Sequence, residues 1–293
     1  MSSPTVTLAR PTAADWIELA KPRITTMVVF TALVGFVTAS TASPWTLVLA
    51  AALTGTGLVA AGASVLNQVM ERDTDALMLR TRARPIPSGR IPPGEARTFG
   101  ALLTASGLAL LLWLCGPLAA AVALATWASY LFAYTPLKRR TPLATLVGAV
   151  PGALPPVIGW AAARGRLDAG AFILFAILFL WQIPHFLAIA WLYRDDYARA
   201  GFPMLPVLDR EGTFAGRQAV VHSLALLLVS LAPVVAGLAG PAYLAGAFLL
   251  GVALTLFALR LARSRDLVAA RGLFLASLVY LPVLSSLLLA ARL

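Results

Sequence analysis

The residues able to do chemistry in this chain collect in a few short strings. The first is Asn67-Gln68-Val69-Met70-Glu71-Arg72-Asp73-Thr74-Asp75. Asn67, Glu71 and Asp75 are spaced four apart, so on a helix turning about 100° per residue they stay within about 80° of one another on one face. Asp73 falls off that face. Two carboxylates and an amide side by side repel unless a cation joins them. Mg2+ suits such a set, because it takes carboxylate oxygens and keeps phosphate oxygens and waters as its other ligands. A solvated acidic helix end would carry the same spacing.

The second string is Arg80-Thr81-Arg82-Ala83-Arg84-Pro85-Ile86-Pro87-Ser88-Gly89-Arg90. Pro85, Pro87 and Gly89 predict a rigid turn rather than a helix. Guanidinium forks match phosphate oxygens two at a time, so Arg80, Arg82, Arg84 and Arg90 are candidate phosphate ligands. Acids for Mg2+ beside Arg for phosphate make a diphosphate site; the same Arg residues would also anchor a loop on anionic lipid. The string Tyr134-Thr135-Pro136-Leu137-Lys138-Arg139-Arg140 offers Lys138 and Arg139 to the same cradle. Tyr134, Phe132 and Trp181 offer ring faces to a cation, and packing accounts for them equally.

Two further strings lie later. Trp181-Gln182-Ile183-Pro184-His185-Phe186 is embedded in apolar sequence. Gln182 and His185 share a helix face and need partners in hydrocarbon, and Pro184 frees a carbonyl. Trp181, Gln182 and His185 are candidates for contact with a bound cofactor-like substrate; packing between helices accounts for them as well. His222 reads as structural. In Tyr193-Arg194-Asp195-Asp196-Tyr197, Asp195 and Asp196 could hold a second Mg2+ or clamp basic residues of the first loop. The apolar Gly201-Phe-Pro-Met-Leu-Pro206 that follows suits a lid that excludes water.

These strings must be positioned by a membrane bundle. The chain is 60% hydrophobic and 12% charged over 293 residues, too little charge to cover a water-soluble domain. A span needs about 20 apolar residues. Nine segments qualify, near 24–42, 46–66, 98–115, 117–135, 143–163, 169–192, 218–239, 241–259 and 273–291. Gly116-Pro117 and Gly240-Pro241 make tight hairpins. A cytoplasmic N-terminus puts 20 of the 23 Lys and Arg inside, leaving Arg164, Arg166 and Arg292 outside. Residues 1–16 read as a polar cytoplasmic tail, and 67–97 and 193–217 as elaborated cytoplasmic loops. The basic residues are too dispersed for nucleic-acid binding. Only Lys21 and Lys138 are lysines, which reads as a bias toward Arg. Cys115 has no partner for a disulfide.

Taken together, the strings resemble the UbiA-like intramembrane prenyltransferases. Asn67, Glu71 and Asp75 match that superfamily's first Asn/Asp-rich motif, with Glu71 where Asp is commoner, and Tyr134 to Lys138 matches its Tyr-x-x-x-Lys element. Within it, Glu71-Arg-Asp-Thr-Asp-Ala-Leu-Met, Arg80 to Ile91, Tyr134-Thr-Pro-Leu-Lys-Arg, Trp181 to Phe186 and Asp196 to Pro206 are similar to the haem-farnesylating branch. The resemblance covers about residues 17–290. It implies an all-α membrane protein of one domain, with nine transmembrane helices around a central cavity open to the cytoplasmic side. It implies Mg2+-dependent transfer of farnesyl from farnesyl diphosphate to a vinyl group of haem B, in a bacterial inner membrane with the C-terminus periplasmic. Asn67, Glu71, Asp75, Asp196, Lys138 and Tyr134 would be catalytic. Asn67, Glu71, Asp75, Asp195 and Asp196 would be metal ligands. A haem A synthase or oxidase assembly factors are implied partners beyond the lipid bilayer. One departure stands out: the superfamily's second motif spaces two Asp four apart, whereas Ala200 follows Asp196 at that distance. An aromatic quinone-precursor or chlorophyll-type acceptor, and a secondary transporter, are the rival expectations.

Overall fold

The computed structural model describes residues 11–43 and 45–292. Among them are nine helices long and apolar enough to cross a bilayer: α1 Pro22–Ala39, α2 Leu47–Met70, α3 Pro93–Cys115, α4 Pro117–Leu137, α5 Ala144–Arg164, α6 Ala169–Leu192, α7 Thr213–Val235, α8 Pro241–Ser264 and α9 Leu267–Ala290. Helices dominate because hydrocarbon offers backbone groups no partners, and a helix satisfies them within the segment. Proline opens α1, α3, α4 and α8, where its missing N–H costs nothing. Side chains of Thr46, Asp168 and Asp266 cap α2, α6 and α9. These start signals lengthen α3 back to Pro93 and α9 back to Leu267, past the polar turns that hydropathy alone excludes. α7 ends early, at Val235, where Gly237 takes φ 69.

Two spans are irregular where sequence demands it. α5 breaks at Leu154 because Pro155 and Pro156 cannot donate to the ladder. α4 widens into a π-helical turn at Ser129–Tyr134, a distortion frequent at functional sites. α1 crosses α5 so closely that a Cβ on Gly35 would meet the Pro156 carbonyl at 1.9 Å, and one on Gly159 the Ala32 carbonyl at 2.0 Å. Small residues at crossings let backbones approach where no hydrophobic force drives helices together. Outward-facing Trp113, Leu228, Val235 and Leu249 are exposed, as a multi-pass membrane protein requires on its lipid side.

The expected polar tail is only partly within view: residues 1–10 lie outside the described residues. Its remainder runs into a short helix, Ala13–Leu19. Thr12 and Asp15 form a reciprocal capping box, and Trp16 packs edge-on against Phe99 at 5.0 Å.

Candidate active site

The end of α2 builds the acidic face. The regular helix stops at Met70, Glu71 takes the cap position, and Arg72–Asp75 adds a short turn. The ladder nevertheless continues: Glu71 N–H donates to the Asn67 carbonyl at 2.9 Å and Asp75 N–H to the Glu71 carbonyl at 2.7 Å. That continuity keeps residues spaced by four in line. Asn67, Glu71 and Asp75 are all buried, Asp75 to 1%. Thr74 and Thr81 brace the turn by donating to the carbonyls of Glu71 and Asp75.

Each buried carboxylate meets a cation from elsewhere. Arg84, on the proline-rich turn, donates from Nη1 to Asp75 Oδ2 at 2.7 Å. Lys138, just past α4, lies 3.2 and 3.4 Å from the two oxygens of Glu71. Asn67 Nδ2 donates to the Thr135 hydroxyl at 3.1 Å, and Thr135 donates to the Tyr130 carbonyl inside the π turn. That turn brings Tyr130 and Tyr134 into a stack with centroids 5.6 Å apart. Burial works against the charge on Lys138, but Tyr134 and Glu71 outweigh it and hold the ammonium above the usual lysine range. Asp75 Oδ1 is buried with no hydrogen-bond partner among the described residues. A buried carboxylate oxygen without a donor is costly and is the acceptor a cation would satisfy.

The segment that follows α6 closes onto this cluster. Asp196 is buried and pairs with Arg199, and its Oδ2 accepts from the Arg80 backbone N–H at 3.4 Å. Burial opposes its ionisation, yet Arg199 and the Arg80 N–H hold its carboxyl below the ordinary value. Phe202, 1% exposed, packs with Met78, Tyr197 and Met204 and places its ring centroid 4.7 Å from the Lys138 ammonium. The apolar loop thus covers the lysine.

Not every candidate joins. Among the described residues no three His, Cys, Asp or Glu side chains approach closely enough to hold a metal by themselves. Asp196 serves to tie the two loops together, and Asp195 is exposed beside Arg194. The residues still fit Mg2+ as a partial set, given the orphaned Asp75 oxygen, because this ion ordinarily completes its shell from phosphate and water. Arg90 is diverted: it pairs with Asp15 and Glu18 and donates to the Ala83 carbonyl, fastening the short N-terminal helix. Arg80 stacks its guanidinium over Tyr193 at 5.1 Å, and Arg82 and Arg139 are exposed.

Trp181, Gln182 and His185 form a separate cluster within α6. Trp181 Nε1–H donates to the Ser277 carbonyl, Gln182 to the carbonyls of Ala149 and Leu178, and His185 Nδ1 meets Ser277 Oγ at 2.8 Å. All three fasten α6 to α5 or α9. Trp181 and His185 also stack, with centroids 4.8 Å apart.

Lys21 and Thr135 also stand at this site, where the sequence shows the first only as a compositional bias and the second only as part of a string. Lys21 is half-buried; burial, with Arg84 and Lys138 nearby, lowers its pKa to about 8 against the opposing pull of Glu71 and Asp75. The available signal was compositional: in a chain that otherwise uses Arg, both lysines stand in this cluster.

Nine apolar helices with buried acids and paired cations at one end define an intramembrane transferase of the prenyl type. The UbiA prenyltransferase family matches residues 28–280, and the chain belongs to that family. It is therefore an enzyme of the prenyltransferase class, which sets aside the transporter expectation. The chain is 48% identical to the protoheme IX farnesyltransferase of Solibacter usitatus (strain Ellin6076), covering 95% of this chain and 98% of that one. It is 44% identical to the protein of the same name from Koribacter versatilis (strain Ellin345), over 100% and 99%. Its fold is shared with a digeranylgeranylglyceryl phosphate synthase (TM-score 0.79, 17% identity, 95% and 98% covered). A UbiA homolog from Archaeoglobus fulgidus bound to GPP and Mg2+ also shares it (TM-score 0.67, 16% identity, 94% and 99% covered).

Proposed function

We propose that the chain transfers the farnesyl group of farnesyl diphosphate to a vinyl carbon of haem B, yielding haem O. The observation that carries the site is the pairing of buried Glu71 with Lys138 and buried Asp75 with Arg84 at the end of α2. Identities of 48% and 44% to protoheme IX farnesyltransferases along nearly their whole lengths support the choice of acceptor. In this reading the cluster faces the cytoplasm, the N-terminus is cytoplasmic, and the enzyme works in a bacterial inner membrane.

Asn67, Glu71 and Asp75 would hold Mg2+, with Asp196 steadying the covering loops. The ion, when bound, supplies positive charge that neutralises the departing diphosphate. Lys138 and Arg84 add fixed positive charge where negative charge develops as the C1–O bond of farnesyl breaks and its electrons leave with the diphosphate. The haem vinyl π electrons then form a bond to farnesyl C1. The cation left on the haem side takes up water and loses a proton, completing a hydroxyethylfarnesyl substituent. No protein nucleophile takes part. The stacked Tyr130 and Tyr134 rings lie beside Lys138 and can stabilise the allylic cation through their faces. Phe202 over Lys138 keeps water from that cation. Trp181 would offer haem an aromatic face, backed by the buried His185 ring stacked on it, and Gln182 pins α6 to α5.

The experiment is a mass measurement: haem B and labelled farnesyl diphosphate are incubated with the purified protein and Mg2+. A haem product heavier by one farnesyl group and one hydroxyl group is expected. Label appearing on a quinone precursor and not on haem would overturn the acceptor assignment.

A further inference from the structure

Of 23 basic residues only Lys21 and Lys138 are lysines. Lys138 is accounted for; Lys21 is not. It occupies the N-cap of α1 with φ 48 and ψ 63, in the left-handed region. Among the described residues only Arg265 otherwise does this without being glycine. An L side chain there is strained, whereas glycine adopts this conformation freely. Lys21 takes part in the turn through its backbone alone: its N–H donates to the Glu18 carbonyl, and its carbonyl accepts from Ile24 and Thr25. The lysine side chain adds nothing to that turn, so its presence needs another reason.

Its surroundings supply one. Gln68, beside Asn67 on α2, donates to the Leu19 carbonyl at 2.8 Å and ties the turn against the acidic helix end. The half-buried lysine lies within electrostatic reach of Arg84, Lys138, Glu71 and Asp75. Arg84 and Lys138 each have a carboxylate partner, while Lys21 has no ion pair among the described residues. Glu71 and Asp75 are each matched by one cation, so the charge of Lys21 beside them is unmatched. A lysine serving only to reach lipid headgroups would sit in water at the surface.

We propose that Lys21 is a further diphosphate ligand, meeting the anion with a positive charge that no carboxylate already holds. The inference rests on reading this cluster as a diphosphate site. It is strained backbone kept for the sake of a side chain, as functional positions often are.

The test is equilibrium binding of labelled inorganic pyrophosphate to the purified full-length protein with Mg2+, together with the unfolding midpoint and the KM for each substrate. Lys21→Gly relieves the backbone, so its midpoint should equal or exceed that of the unmodified protein. Its pyrophosphate affinity and farnesyl diphosphate KM should worsen at least about tenfold, the scale of one charged hydrogen bond, with the KM for haem unchanged. Lys21→Arg should recover affinity to within a few-fold. Lys21→Gln replaces the glycine variant should that one prove unstable. Unchanged pyrophosphate binding in the glycine or glutamine variant would overturn the assignment of Lys21 alone. Absence of pyrophosphate binding in the unmodified protein would overturn the site reading beneath it.

Discussion

The Glu71–Lys138 pair separates a structural account of the cluster from a functional one. The side chains are 6% and 13% exposed, with contacts of 3.2 and 3.4 Å. At an effective dielectric of about 20, charges that close attract by roughly 5 kcal/mol, and desolvation of both ions offsets most of it. Lys138→Met leaves a buried carboxylate without its cation and is expected to destabilise by about 3–5 kcal/mol. Glu71→Gln leaves an ammonium that still has the Phe202 and Tyr134 rings, so its cost should be nearer 1–2 kcal/mol. The double variant leaves neither ion exposed to the other's absence and should return to within about 1 kcal/mol of the unmodified protein. Stability is read by denaturant titration in detergent micelles, and turnover with labelled farnesyl diphosphate. The account expects all three variants to lose turnover, including the double variant that regains stability. A stable double variant with normal turnover would show that the pair merely holds helices together. Additive destabilisation would show that the two charges are not coupled.

Two further outcomes follow. The folded-state pKa of Lys21, about 8, lies below the ordinary 10.5, so the fold disfavours its charged form. Stability should therefore improve as pH rises from about 8 toward 10.5, while kcat/KM for farnesyl diphosphate falls above pH 8 as the ammonium is lost; Lys21→Arg should remove that fall, and a pH profile identical in the two proteins would refute it. Phe202→Ala opens the cover over Lys138, so labelled farnesol from capture of the cation by water should rise relative to haem product; an unchanged partition would exclude a shielding role.

Much of this architecture could be read from residue order. Hydropathy located nine helices, and Gly116-Pro117 and Gly240-Pro241 marked two hairpins correctly because proline at a helix start costs nothing. The four-residue spacing of Asn67, Glu71 and Asp75 survived a helix end at Met70 because the ladder carries on through Glu71. What stayed hidden depends on long-range partners. Arg90 belongs to the phosphate cradle by its string but is captured by Asp15 and Glu18, residues 75 and 72 positions away. The joining of Asp196 to the Arg80 backbone is likewise invisible in a local pattern. The place of Lys21 is not legible locally, because a left-handed lysine before proline has no periodic signature; Gln68 reaching back to Leu19 ties its turn to α2.

The claim beneath all of this is that the α2 carboxylates serve an enzyme that prenylates haem. The direct measurement is the mass of haem recovered from membranes carrying either the unmodified protein or Asp75→Ala, at equal inserted amounts, after supply of haem B, farnesyl diphosphate and Mg2+. The account predicts farnesylated haem from the first and unmodified haem from the second. Equal farnesylation by both would contradict it.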